Sequence, residues 1–457
     1  MPDSAAGQRV AAAAASSATS TINDATREPL NAAATERAPE FGLRYSYYAL
    51  AMLFGVTVLN LTDRSVVNLL LVPIGKDLEL KDWQLGLFAG PAFAICYALV
   101  QIPIARLADQ RRRAPLIALA LAFWSSMTML QAAAVGFISL ALARAGVAMG
   151  EAGSGPASHS MVSDLFPARL RTRAFAVLMF GAPLGTALGA FIGGWGREWL
   201  GWHATLLFVG MPGLVLAVAV WLTVREPTRG YWQARVTTQD ASLMDTVRFL
   251  LRLPAFRHVL FGYSVWQIVA SASSFDAVYL ERSFALSPSE IGSWLGAAGL
   301  LAAVGYYTGG WLSDRLSLRN PAWSMRLLTI FLLLHLCVSI AYYLADSRAM
   351  VIGLMFVHPF LPATLPLVIA NVQNLAPAQM RARAGALLLT ISTLIGMSIG
   401  APLAGAISDA TRASLGQESI RYALLGIVTV GWLWAALHYW LGSRTLARDL
   451  EAKERAD

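Results

Sequence analysis

Leu59-Asn60-Leu61-Thr62-Asp63-Arg64-Ser65-Val66-Val67-Asn68 decides how this chain is read. It lies inside an apolar run from about Tyr45 to Val72, long enough to cross a bilayer. An acid and a base stand side by side in the middle of that run. Charged groups at such depth face a protein interior or a water-filled cavity, and they mark a substrate or ion path. Adjacent helical residues point about 100° apart, so Asp63 and Arg64 reach for different partners. Asn60 and Asn68 flank the pair and are candidates for lining the same cavity.

A second such stretch is Arg144-Ala145-Gly146-Val147-Ala148-Met149-Gly150-Glu151-Ala152. Arg144 and Glu151 are two turns apart on one helical face, which separates them by roughly 10 Å along the axis. Two acids and two arginines are therefore expected to line one wall. The competing readings are a static charge network that only fixes helix packing, and snorkelling of Asp63 and Arg64 to an interface. Glycines crowd this region (Gly146, Gly150, Gly153, Gly155) and recur at Gly181, Gly185, Gly189, Gly193 and Gly194. Small residues spaced by four let helix backbones approach closely.

The composition agrees with a membrane protein. Of 457 residues, 56% are hydrophobic and 14% charged, with mean hydropathy +0.55; soluble domains carry about 25% charge. Apolar segments recur at about 45–72, 83–106, 115–135, 136–162, 173–196, 202–224, 257–280, 289–312, 322–345, 348–372, 383–408 and 420–443. The expected fold is all-α and polytopic, with twelve transmembrane helices in two six-helix bundles. The expected organisation is a disordered cytoplasmic tail (1–40), an N-terminal bundle (41–224), a cytoplasmic central loop (225–256), a C-terminal bundle (257–445) and a cytoplasmic tail (446–457). Of the 35 basic residues, 26 fall on the side of the two termini and 7 on the other. That bias predicts cytoplasmic termini, in the inner membrane if the cell is bacterial.

The halves echo each other. Gln84-Leu85-Gly86 opens the second span and Leu107-Ala108-Asp109 follows it; Glu290-Ile291-Gly292 opens the eighth and Leu312-Ser313-Asp314 follows that, at an offset of about 205 residues. Parallel repeats of six helices produce this pattern. Asp109 with Arg111 and Arg113, and Asp314 with Arg315, are candidates for cytoplasmic gating, since acid–base pairs in short loops can latch helix ends together. For the arginines alone, positive-inside topology is a sufficient explanation.

His159 and Asp276 are candidate cavity residues, although His159, His335 and His358 read first as packing histidines. Cys96 and Cys337 sit in apolar runs and read as packing residues. No HExxH, GxSxG or Walker-type run occurs, and no pair has metal-ligand spacing. The sequence therefore offers no catalytic residues, metal site or cofactor site, and an enzyme or ATP-driven pump is not expected. The Arg clusters are short and bracketed by spans, so a nucleic-acid partner is not expected either.

Ala105-Arg106-Leu107-Ala108-Asp109-Gln110-Arg111-Arg112-Arg113 and its second copy, Gly309-Gly310-Trp311-Leu312-Ser313-Asp314-Arg315, resemble the loop motif of the major facilitator superfamily. The first copy has Ala105 where the family has Gly. Leu59 to Arg64, Arg144 to Ala152 and Ser160-Met161-Val162-Ser163-Asp164-Leu165-Phe166-Pro167 resemble the spinster branch. The resemblance implies a proton-linked carrier with Asp63, Arg64, Arg144 and Glu151 in its central cavity, and a monomer working by alternating access is expected. Its expected partners are protons, the lipid bilayer and a small organic anion or amphipathic lipid-like solute. Two alternatives remain: an organic-anion:proton symporter of another branch of the superfamily, and a receptor or scaffold that does not transport.

Overall fold

The computed structural model of the protein describes residues 40–232, 242–361 and 364–454. The expected N-terminal tail lies outside these except for Glu40. Long helices dominate, and no strand occurs among the described residues.

In the first half, α1 is Leu43–Asp77. The second crossing is two helices, α2 (Asp82–Ala89) and α3 (Pro91–Gln110), and α4 (Arg113–Gln131) is the third. The fourth is α5 (Phe137–Glu151) followed by α6 (Ser154–Leu165). Then α7 runs over Ala168–Thr223. Its 56 residues would span about 84 Å if straight, far beyond a hydrocarbon core of about 30 Å. The chain turns back at Gly201 (φ 77°, ψ 168°), a conformation open essentially to glycine alone, so α7 supplies crossings five and six.

A short helix, α8 (Leu243–Arg252), occupies the polar interval between the halves; Ser242 caps it by accepting the Asp245 N–H. The seventh crossing is α9 (Pro254–Ala272) and α10 (Asp276–Phe284), and the eighth is α11 (Pro288–Ser317). The expected start of α11 is made as its residues dictate. Ser287 accepts the Glu290 N–H at 3.2 Å, and the Glu290 carboxylate accepts the Ser287 N–H at 2.8 Å. Then follow α12 (Trp323–Tyr343), α13 (Arg348–Val357) with α14 (Leu365–Leu375), α15 (Arg381–Leu415) and α16 (Ser419–Glu454). The last helix continues through most of the stretch expected as a C-terminal tail.

Crossings two, four, seven and ten are the broken ones. Pro91 has no N–H to give the preceding turn, and the second crossing breaks at Gly90. The fourth breaks immediately after Glu151. Single 3₁₀ turns interrupt the seventh at Ser273–Phe275 and the tenth at His358–Phe360. Non-helical backbone at membrane depth is tolerated where it is buried in protein or lines a cavity.

Two apolar cores hold the molecule. One has all its buried members in the first half, among them Leu53, Phe93, Trp124, Met161 and Leu178, with Met397 of the second half packed against it. The larger one fills the second half and extends into Val66 to Ile74 of α1, Leu85 and Phe88 of α2 and Leu206 of α7. The halves thus share a core at one end of the bundle, the end carrying residues 78–81 and 285–287; we call it the closed end. There α2 lies against α15 and α11 against α7. A Cβ on Gly86 would stand under 3.0 Å from the Ala401 carbonyl oxygen, and one on Gly292 would meet the Ala190 carbonyl in the same way. Glycine at these two equivalent positions lets backbone meet backbone.

Candidate functional site

Asp63 and Arg64 leave α1 in different directions, as their spacing requires. Asp63 is 3% exposed and points at α4, where the Thr128 hydroxyl donates to its Oδ2 at 2.5 Å; its Oδ1 is buried with no hydrogen-bond partner. Arg64 points at the end of α5, where its Nε donates to Glu151 Oε2 at 2.6 Å. Arg144, one face of α5 further back, is 2% exposed and within electrostatic reach of both Asp63 and Glu151. Its Nε and Nη1 are buried with no hydrogen-bond partner in the protein. The four groups therefore converge, with two elements supplying two each. Glu151 is 1% exposed, and Arg64 alone reaches open space, with 28% of its side chain accessible. Asn60 is buried beside Glu151, while Asn68 is half-buried further along α1.

One aromatic ring touches both arginines. The Arg64 guanidinium carbon lies 4.6 Å from the Phe93 ring centre and that of Arg144 lies 4.9 Å from it. Tyr97, stacked on Phe93 at 5.5 Å, also lies against Arg64, its ring centre 5.0 Å from the guanidinium carbon. Each ring presents negative quadrupole density to a cation, an attraction worth about 2 kcal/mol when desolvated. Two like charges are thus held near one another with one carboxylate hydrogen bond between them. Sequence reading missed Phe93, Tyr97 and Thr128. Their one signal is position: Phe93 and Tyr97 follow the Gly90-Pro91 break at helical spacing.

Packing fixes the arrangement. Gly181, Gly185, Gly189 and Gly193 of α7 lie along α1, and Thr62 and Ser65 donate to the Gly185 and Thr186 carbonyls at 3.1 and 2.9 Å. Gly146 and Gly150 bring α5 against Met127 and Trp124 of α4. The Ser154 hydroxyl donates to the Glu151 carbonyl at 3.0 Å, satisfying one backbone group freed by the break.

The other expected residues are distributed differently. His159 is exposed, its ring edge-on to Phe175 of α7 at 5.8 Å. Asp276 lies in the second half, accepting from the Tyr343 hydroxyl at 2.7 Å. Arg113 is 1% exposed and ties three segments together. It pairs with Asp164 at 2.5 Å and Glu226 at 2.7 Å, and donates to Ser160 Oγ and the Pro227 carbonyl. Glu226 also accepts the Arg113 and Ala114 N–H groups, capping α4. Arg111 is exposed, and its carbonyl accepts from Arg229. The side chain of Asp109 lies outside the described ones. Asp314 and Arg315 are exposed at the end of α11, with Arg315 over the Trp311 ring.

The ion pairs between the halves at the closed end were not foreseen. Arg282 grips Asp82 with two hydrogen bonds of 2.6 and 2.7 Å, and Ser408 adds a third at 2.8 Å. Arg197 grips Glu281 with two bonds of 2.7 Å each. Asp409 accepts the Asp82 and Trp83 N–H groups at the start of α2, at 3.3 and 2.9 Å. Glu198 accepts the Ser289 N–H at the start of α11, at 2.9 Å. Each carboxylate satisfies backbone donors that the first turn of a helix leaves open.

Charged groups buried at membrane depth on α1 and on the broken fourth crossing, within twelve crossings arranged as two bundles, define a polytopic membrane carrier. The Major Facilitator Superfamily matches over residues 53–334 and 259–456, and the chain belongs to that family. An MFS-type efflux pump of Mycolicibacterium smegmatis (strain ATCC 700084 / mc(2)155) is 33% identical over 430 residues, covering 93% of this chain and 99% of the relative. A probable galactarate/D-glucarate transporter of Bacillus subtilis (strain 168) is 32% identical over 191 residues, 40% of this chain and 41% of that one. Among solved structures, a bacterial homolog of the human lysosomal transporter spinster, in an inward-facing and unoccupied conformation, is 30% identical. Its TM-score is 0.80, with 89% of this chain and 99% of that chain covered. The expected likeness to the spinster branch is borne out.

Proposed function

We propose that the protein is a proton-coupled secondary transporter that moves a small organic anion or an anionic amphipathic solute by alternating access. The observation that carries this reading is Arg144: a guanidinium 2% exposed with two nitrogens that no protein group accepts from. A buried charge needs pairing, and a planar guanidinium pairs best with a carboxylate or phosphate. Arg64 is held by Glu151. A proton on Glu151 removes the charge that holds Arg64 and frees a second guanidinium for the same anion. Proton and substrate thus compete for one arginine, which couples their movements. The partial likeness to a sugar-acid transporter is consistent with an anionic cargo.

In this reading the closed end faces the outside and the termini lie in the cytoplasm, in agreement with the distribution of basic residues. The ion pairs between the halves at the closed end must break for the opposite state to form. The test is uptake into proteoliposomes holding the purified full chain, with D-glucarate, galactarate and a lysophospholipid as probes. An imposed pH gradient should drive at least one of them above its equilibrium level, and a protonophore should abolish the excess. Equilibration that ignores the gradient would mean facilitated diffusion. Saturable binding without any uptake would mean a receptor.

A further inference from the structure

The second half contains a largely apolar chamber with a few polar groups in its walls, and the Asp63–Glu151 group is not among them. Two adjoining hollows of about 330 Å³ each share Val269, Ser273, Ala302, His358, Pro359 and Trp432 as walls. Asp276 stands in the first, where one oxygen accepts from Tyr343 at 2.7 Å. His335 and Trp266 stand in the second. The His335 and His358 rings lie 4.7 Å apart, and His358 Nε2 is 3.1 Å from Ser339 Oγ.

Asp276 differs from the other buried acids, since even Asp63, which likewise forms no ion pair among the described residues, has Arg144 within electrostatic reach. Glu151 has Arg64, Asp82 has Arg282 and Asp164 has Arg113. Among the described residues Asp276 forms no ion pair, and no lysine or arginine lines either hollow. Nor do three His, Cys, Asp or Glu groups gather anywhere among the described residues as metal ligands. A carboxylate without a protein cation, in a chamber walled by Tyr342, Tyr343 and Trp432, is complementary to an organic cation. An ammonium has three donors, and Asp276, Ser273 and the His358 ring offer acceptors in the same space. The adjoining hollow, with Trp266 and His335, has room for an aromatic ring.

The geometry points to a second binding site, in the C-terminal half, for a monocationic arylalkylamine whose ammonium pairs with Asp276 and whose ring lies toward Trp266. Its chemistry is opposite to that of the arginine site. The chamber exists partly because Gly299 of α11 lines it: a Cβ there would meet nothing within 4 Å. A larger side chain at that position can therefore fill the chamber without displacing backbone.

Binding of tritiated tryptamine to the full chain in lipid nanodiscs tests this, with empty nanodiscs subtracted and the matching alcohol, tryptophol, as competitor. Tryptamine should bind saturably and at least about tenfold more tightly than tryptophol, since a charge-assisted hydrogen bond separates them. Asp276→Asn should bring tryptamine down to the level of the alcohol. Gly299→Val should remove both. Equal binding of amine and alcohol to the unaltered protein would overturn the proposal, and that comparison needs no variant to fold. Tryptamine binding that survives Gly299→Val would also overturn it.

Discussion

Glu198 and Asp409 hold the same post in the two halves. Each carboxylate, late in a crossing of one half, accepts a backbone N–H at the start of a helix in the other: Glu198 from Ser289 at 2.9 Å, Asp409 from Trp83 at 2.9 Å. Gly86 and Gly292, one turn into those two helices, meet the Ala401 and Ala190 carbonyls. The closed end is thus built twice from one plan, as parallel repeats require. Its bonds are short, polar and local, the kind that can be exchanged for water when the end opens.

Neutralising these carboxylates should open the closed end. Each variant weakens a charge-assisted hydrogen bond to a backbone N–H, so Asp409→Asn together with Glu198→Gln should shift the equilibrium toward the open form. Spin labels at positions 76 and 413, with Cys96 and Cys337 replaced by serine, report the distance across this end. A longer population should appear in the double variant; an unchanged distribution would show that the apolar core alone holds the end shut.

Gly86→Val acts on the same closure by sterics. The added Cβ has nowhere to go against the Ala401 carbonyl. The variant should fold, keep the same spin-label pair at the longer distance and lose transport. Wild-type transport would mean that the helices slide rather than part at this point.

Arg113 should behave as a structural hub. Removing one partner of a buried ion pair costs about 3–5 kcal/mol, and Arg113→Ala strands both Asp164 and Glu226. Its thermal unfolding in detergent should fall well below that of wild type, whereas Arg111→Ala, at an exposed side chain, should leave it unchanged. Equal stability of the two variants would remove the hub role.

Arg144→Lys keeps the charge and loses the planar fork. It should weaken binding of the transported anion by about tenfold or more, measured by scintillation proximity, with little change in thermal stability. A loss of stability matching the loss of binding would instead favour a static packing network.

The large features were legible because they rest on length and charge. Apolar runs of bilayer length gave the crossings, and Asp63, Arg64, Arg144 and Glu151 stood out as charges that an apolar run must explain. Phe93 did not stand out, since an aromatic in an apolar run reads as packing until the two arginines against it are seen. Thr128 was hidden for the same reason. The closed end was harder still. Asp82 and Arg282 sit at helix starts 200 residues apart, and their pairing depends on how the halves dock. The glycines of Gln84-Leu85-Gly86 and Glu290-Ile291-Gly292 were visible as an echo, but not as the two points of backbone contact. The helix break at Ser273 carries no proline, so an apolar pattern runs straight through it, whereas Pro156, which has no N–H for the Ala152 carbonyl, marked the break after Glu151 and was passed over.

The central claim is that the proton and the substrate anion compete for arginine at Glu151. Glu151→Gln keeps the size of the side chain and mimics a permanently protonated acid. The measurement is two assays on the same proteoliposomes, pH-gradient-driven uptake and substrate counterflow at equal pH on both sides, with thermal stability in detergent recorded beside them. The account predicts a stable protein that loses the gradient-driven uptake and retains counterflow, because exchange moves no net proton. Normal gradient-driven uptake by a well-folded Glu151→Gln protein would contradict it.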